Sequence, residues 1–228
     1  HIITNCIIRN CIAAGGNASH GFDGNPWDIS QHLLPIHKGG FGGQGGHAEG
    51  AGMYIASGNP AIYNTIVEGC SAIGGNGGNG GSGLAASTND PFDANFPGGP
   101  GGNGGNGGNA LGGGIFCKQG TGPSFTDCIV RDCQAVSGYG GDGGLGGAGA
   151  RSDKAAYDPC DPTIFIQRGN GTGGHGGMPG LAFGGGIYVD DDCLVKFESC
   201  KITGNSAQSN VAGCGGNASG DGTNSWYQ

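Results

Sequence analysis

The sequence predicts an all-β fold: a short parallel β-helix of about four coils, with lateral glycine-rich arms of polyproline-II type. Three observations lead there. One motif returns as Cys6-Cys11-Ala13, Thr65-Cys70-Ala72, Cys128-Cys133-Ala135 and Cys200-Asn205-Ala207. A second precedes the last three copies, as Gly50-Ala51-Gly52-Met53-Tyr54, Gly112-Gly113-Gly114-Ile115-Phe116 and Gly184-Gly185-Gly186-Ile187-Tyr188. Between copies lie long insertions whose limbs run in Gly-Gly-X triplets. Self-similarity of this kind marks stacked units, each needing its neighbours to bury an apolar face.

The strands come first. Segments such as 123–130 are β-branched and aromatic, and Gly, Asn, Asp and Pro bound them. No stretch carries a helical period. Ile3, Ile62, Phe125 and Phe197 share one register, and Ile8, Val67, Val130 and Ile202 a second. Cys11, Cys70, Cys133 and Asn205 form a third, and the motif alanines a fourth, where room is tight. On a β-helix these become core ladders with rungs about 4.8 Å apart. Arg9, Glu68, Arg131 and Thr203 alternate with them and face solvent. The chain reads as a single repeat domain, 1–228. Its coils lie near 1–13, 50–73, 112–136 and 184–208, and its insertions at 14–49, 74–111, 137–183 and 209–228.

The insertions come second. Gly-Gly-X has the period of a polyproline-II helix, three residues per turn with a rise of about 3.1 Å each. Two faces of such a strand are bare glycine and allow close backbone approach; the third carries X. The bland alternative is a flexible linker. Order is expected instead, because arms leaving one corner of successive coils are held side by side, which offsets part of the entropy cost of ordering glycine. The bulky residues gather at the insertion tips: Trp27, Leu33, Leu34, Pro35, Phe92, Phe96, Tyr157, Ile164, Phe165, Trp226 and Tyr227.

Composition narrows the function. Gly is 58 of 228 residues, against a usual share of about 7%. Collagen is excluded, because glycine does not recur at every third position throughout. The repeat and the 35% hydrophobic content argue against disorder. Net charge is −8, and the 9 basic residues form no cluster, so nucleic acid is not an expected partner. No apolar run is long enough to span a membrane. The chain opens on His1 and stops within a Gly-rich stretch, which reads as a mature product or a window on a longer repetitive protein.

The ten cysteines are Cys6, Cys11, Cys70, Cys117, Cys128, Cys133, Cys160, Cys193, Cys200 and Cys214. In a Gly-rich chain they suggest an oxidising, extracellular setting, with disulfides among them. The competing reading is a ladder of small buried side chains. Zinc is disfavoured, because CxxC pairs are absent.

Catalysis is not expected: Arg9, Glu68, Arg131, Asp132, Glu198 and Lys201 form no same-column acidic set. Asp190, Asp191 and Asp192 are weak Ca2+ candidates, as are the turns at Asn89, Asp90 and Asp93 and at Asp153, Asp158 and Asp161. Such residues more often simply make turns. No other cofactor is expected. His47 and His175 stand on return limbs, where a solvated or hydrogen-bonded imidazole is the commoner role. Sequons at Asn17, Asn170 and Asn217 are glycosylation candidates.

The Gly-Gly-Gly-Ile-Tyr phrase, the strand ending in Cys, and Ile202-Thr203-Gly204-Asn205-Ser206-Ala207 resemble the repeats of polymorphic outer-membrane proteins. The resemblance implies the right-handed, pectate-lyase-like β-helix superfamily. It covers the four coils and departs from that family in its long insertions. The Gly-Gly-X limbs resemble the polyglycine-II bundles of Gly-rich antifreeze proteins and some phage tail adhesins.

The expected function is that of an extracellular structural protein, a subunit or segment of a fibre, sheath or surface layer assembled head-to-tail with itself through end-to-end β-helix stacking. One alternative is an adhesin that binds surface glycans through the insertion tips. Another is an ice-binding protein, although the flat Thr ladders expected of one are missing.

Overall fold

The computed structural model describes residues 1–25, 38–85, 97–149 and 170–218. Coil 1 is built from β1 (Ile2–Thr4), β2 (Ile7–Arg9) and β3 (Ile12–Ala14). Coil 2 is built from β4 (Ala48–Glu49), β5 (Met53–Ile55), β6 (Ala61–Tyr63), β7 (Ile66–Glu68) and β8 (Ser71–Ile73). Coil 3 follows with β9 (Ala110–Leu111), β10 (Ile115–Cys117), β11 (Ser124–Thr126), β12 (Ile129–Arg131) and β13 (Gln134–Val136). Coil 4 has β14 (Ala182–Phe183), β15 (Ile187–Val189), β16 (Lys196–Glu198), β17 (Lys201–Thr203) and β18 (Ser206–Gln208).

Equivalent strands pair in parallel, coil on coil. The sheet orders are β1-β6-β11-β16, β2-β7-β12-β17, β3-β8-β13-β18, β4-β9-β14 and β5-β10-β15. The fold is therefore an all-β parallel β-helix of about four coils. No helix occurs among the described residues.

In β1, β2, β3 and their equivalents in the later coils the middle side chain turns inward, whereas in β5 and β10 the flanking residues Met53, Ile55, Ile115 and Cys117 do. Ile3 pairs with Ile62, Ile62 with Phe125, and Phe125 with Phe197. Ile8, Val67, Val130 and Ile202 form the second ladder, and Ala13, Ala72, Ala135 and Ala207 the next. The middle coils seal this core: Ile62, Val67, Phe125 and Val130 are buried. The last coil does not, with Phe197 45% and Ile202 51% exposed. Aromatic rings stack in the same register. Phe125 and Phe197 lie 5.2 Å apart, Tyr54 and Phe116 5.1 Å, and Phe116 and Tyr188 5.5 Å.

Chain reversal between these strands occurs at one left-handed residue per corner. One corner column is Asn5, Asn64, Asp127 and Ser199; the next is Asn10, Gly69, Asp132 and Gly204, all at positive φ. Asn, Asp and Gly are the residues that tolerate this region. The Asn64 amide also donates to Asn5 Oδ1 at 2.7 Å. Asn64→Ala should therefore lose about 1–2 kcal/mol from backbone strain and the broken bond. A lower urea midpoint at unchanged m-value would confirm it.

Candidate functional site: thiol columns and the glycine slab

The residue after each corner faces inward and caps a carbonyl. Cys6 Sγ donates to the Thr4 carbonyl at 3.4 Å, Thr65 Oγ1 to Tyr63 at 2.9 Å, Cys128 to Thr126 at 3.3 Å, and Cys200 to Glu198 at 3.3 Å. At the next corner Cys11 donates to Arg9 at 3.6 Å, Cys70 to Glu68 at 3.4 Å, and Cys133 to Arg131 at 3.2 Å. Asn205 completes that column. Its Nδ2 donates to the Val130 carbonyl, and its Oδ1 accepts the Cys133 N–H. Thr65 and Asn205 thus explain why Thr and Asn replace Cys in the motif: the position calls for a small donor that can reach a carbonyl. The described cysteines are all free thiols, Cys117, Cys193 and Cys214 included. Cys160 lies outside the described residues.

Burial pushes the Cys70 and Cys117 thiols up from an ordinary 9.0 to about 11, and those of Cys128 and Cys133 upward as well. The thiolate charge of a neighbour adds to this for Cys70 and Cys117. A raised thiol stays neutral in the fold while the unfolded chain ionises. The stability from these thiols is therefore complete below pH 9 and lost as pH climbs from 9 through 11. Tm should fall progressively across that window, and Cys70→Ser should flatten the fall.

The arms form a slab beside the coils. Outgoing arms run through 15–25, 74–85, 137–149 and 209–218, and return arms through 38–47, 97–109 and 170–181. Each Gly-Gly-X triplet places its three N–H groups differently. The first glycine donates to the X carbonyl of the next arm in its own layer: Gly77 to Tyr139, Gly80 to Asp142, Gly42 to Asn103 and Gly104 to His175, all at 2.7–2.9 Å. The second glycine donates across the layers: Gly78 to Gly43, Gly105 to Gly78, Gly141 to Gly105 and Gly177 to Gly141. The resulting bond period of three is that of a polyproline-II strand.

The third N–H belongs to X, and a side chain on the preceding arm takes it. Asn17 Oδ1 accepts from Asn76, and Asn76 Oδ1 accepts from Tyr139. His20 Nδ1 accepts from Asn79, Asn79 Oδ1 from Asp142, and Asp142 Oδ1 from Cys214. On the other layer His47 Nδ1 accepts from Asn109, while Asn103, Asn106 and Asn109 accept from His175, Met178 and Leu181. The recurrence of Asn at X in 76, 79, 103, 106 and 109 was the available signal: the outward N–H needs an acceptor one arm away.

Sterics make the two edges of the slab differ from its interior. A Cβ on interior Gly78, Gly105 or Gly141 would fall on a neighbouring carbonyl oxygen. At the edges Gly16 has nothing within 4 Å of such a Cβ, and Gly215 only the Gly174 carbonyl oxygen at 3.7 Å. The coil-1 edge carries side chains in the second-glycine position, Ser19 and Phe22, and Phe22 is 88% exposed. Ala18 sits at an interior-facing first position, so this arm also gives a little within the slab.

The remaining candidates are not brought together. His47 shares a row with Asn109 and Leu181, whereas His175 shares one with Phe41 and Asn103. Asp192 is a left-handed turn residue that accepts from Gln119, and Asp190 Oδ1 accepts the Asp191 N–H. No group of three His, Cys, Asp or Glu able to hold a metal ion occurs among the described residues. The acidic turns at 89–93 and 153–161, and the bulky tip residues, lie outside the described residues. Of the sequon residues, Asn17 and Asn170 use Oδ1 to accept the N–H of Asn76 and Gly149, and the Asn217 carbonyl accepts from Gly146. Arg131 pairs with Glu68 across the coils, Nε to Oε2 at 2.9 Å. No helix among the described residues is long and apolar enough to cross a membrane.

Fold and slab define a class, a parallel β-helix solenoid with lateral glycine-rich arms. No protein-family model matches the chain, and no curated protein does. Among solved structures it is similar to the springtail antifreeze protein of Granisotoma rainieri, a bundle of nine polyproline type II helices. Identity is 19% over 90% of this chain and 93% of that one, with a TM-score of 0.24.

Proposed function

We propose that the protein is a non-enzymatic extracellular structural element, a unit of a fibre, sheath or surface layer extended end to end through its coils. One observation carries this reading: the two ends of the coil stack are complementary. Within the stack Asn64 and Asp127 donate to carbonyls of the next coil, and Ile66, Ile129 and Lys201 donate to the coil before. By the same register, the Ser199 and Gly204 N–H groups of coil 4 match the Thr4 and Arg9 carbonyls of coil 1 in another copy. The Ile7 and Ile12 N–H groups of that copy match the Cys200 and Asn205 carbonyls. Such a joint would cover Phe197 and Ile202 with Ile3 and Ile8. It is a heterologous contact, which propagates, and it removes the liability of open sheet edges. Phe22 and Ser19 would part the slabs of successive copies toward their tips, leaving the coils to carry the joint.

The ice-binding alternative is less well supported. The outward rows of the slab mix Phe41, His175, Met178 and Asn106, which differ in size and polarity. Cryo-electron microscopy under native conditions tests the fibre reading. Filaments with an axial repeat of about 19 Å, four rungs of about 4.8 Å, are the expected result. Monodisperse particles at high concentration would reject it.

A further inference from the structure

Among the described residues, the coil-4 edge of the slab ends on an outgoing arm with no return arm beyond it. Elsewhere every outgoing arm lies against a return arm that donates into it: Gly46 donates to Gly16, Gly105 to Gly78, and Gly177 to Gly141. The carbonyls of Gly213 and Gly216 on the last outgoing arm receive no such bond among the described residues. In the return layer, Gly42 and Gly104 donate to the next return arm, yet the equivalent N–H groups of Gly173 and Gly176 have no acceptor among the described residues. These donors and acceptors recur every three residues along one groove. The His175 side chain occupies there the place from which Asn103, one arm earlier, accepts an outward N–H.

We propose that this groove docks a further Gly-Gly-X strand of polyproline-II type, supplied by a glycine-rich partner chain. The strand's second glycines donate to the Gly213 and Gly216 carbonyls. Its X carbonyls accept from Gly173 and Gly176, and His175 accepts one of its X N–H groups. The partner must be glycine at the second position of each triplet. A Cβ there would meet the carbonyls of the last return arm, as one on Gly102 would meet the Gly40 carbonyl oxygen. Arms of a second copy are poorer occupants. Their second-glycine N–H groups already donate within their own slab, and the 15–25 arm carries Ser19 and Phe22 at those positions. The opposite edge is closed to such a strand by the same two side chains. The groove lies at the coil-4 end, beside the joint of the fibre reading, but it is built by the arms and not by the coil strands.

The probe is a synthetic peptide of about four Gly-Gly-Asn triplets added to the full chain and followed by amide hydrogen exchange. Slowed exchange at Gly173 and Gly176, and none at Gly16, Ser19 or Phe22, is expected. An Ala-Ala-Asn peptide should not bind. Gly215→Leu projects into the groove from a position with open space and should weaken binding at least about ten-fold. Gly16→Leu, equally open at the other edge, should leave binding unchanged. Absence of protection with the glycine peptide overturns the proposal whether or not the variants fold. So does equal binding of the alanine peptide, or equal affinity in a folded Gly215→Leu variant.

Discussion

Gly105→Ala is expected to cost about 3 kcal/mol or more of stability, an unusually large loss for the addition of one methyl group. Gly105 is buried between the layers, and a Cβ there would fall on the Gly43 carbonyl oxygen and close to the carbons behind it. That contact is backbone on backbone, so no rotamer change relieves it. The Gly105 N–H donates to the Gly78 carbonyl, and its own carbonyl accepts from Gly141; any shift of the strand strains both. Gly16→Ala makes the same chemical change at a position with nothing within 4 Å, and its midpoint should stay within about 0.5 kcal/mol of the parent. Paired urea titrations give the comparison directly. If both substitutions cost the same, steric closure of the slab is not what excludes side chains from it.

Phe125→Ala should cost about 3–5 kcal/mol. Phe125 is buried and sits in register between Ile62 and Phe197. Its removal leaves a cavity and strips the Phe197 ring of its stacking partner at 5.2 Å. Phe197→Ala on the open coil should cost well under half as much, because that ring is already 45% exposed. In a polymer the order changes: once coils are covered by another copy, Phe197 becomes interior, and its truncation should raise the critical concentration for assembly. Chemical denaturation of both variants, with sedimentation of the assembled material, separates the two effects.

The ladders were readable without coordinates. Phe125, Val130 and Ala135 recur at equal spacing in every copy, and a spacing that persists across repeats leaves few alternatives to stacking. The Gly-Gly-X period was likewise enough to expect ordered arms, since it leaves two faces bare. The meaning of the cysteines was not readable in this way. Their spacing suits a disulfide framework as well as a buried ladder, and only the direction of the motif thiols, Cys6, Cys11, Cys70, Cys128, Cys133 and Cys200, toward the carbonyl two residues earlier distinguishes the ladder. Thr65 and Asn205, which keep the donor without the sulfur, were the available hint.

The sequence by itself determined the repeat, the inward residues and the need for glycine, because these follow from local periodicity and from the volume a side chain occupies. Tertiary structure decided which N–H meets which acceptor. It joined Asn76 to Tyr139 and Asn103 to His175, closed one slab edge with Phe22 and, among the described residues, left the other open at Gly173 and Gly176. Those pairings depend on the relative register of arms distant in sequence. The coils set that register by holding the base of every arm at the same corner, and no single arm encodes it.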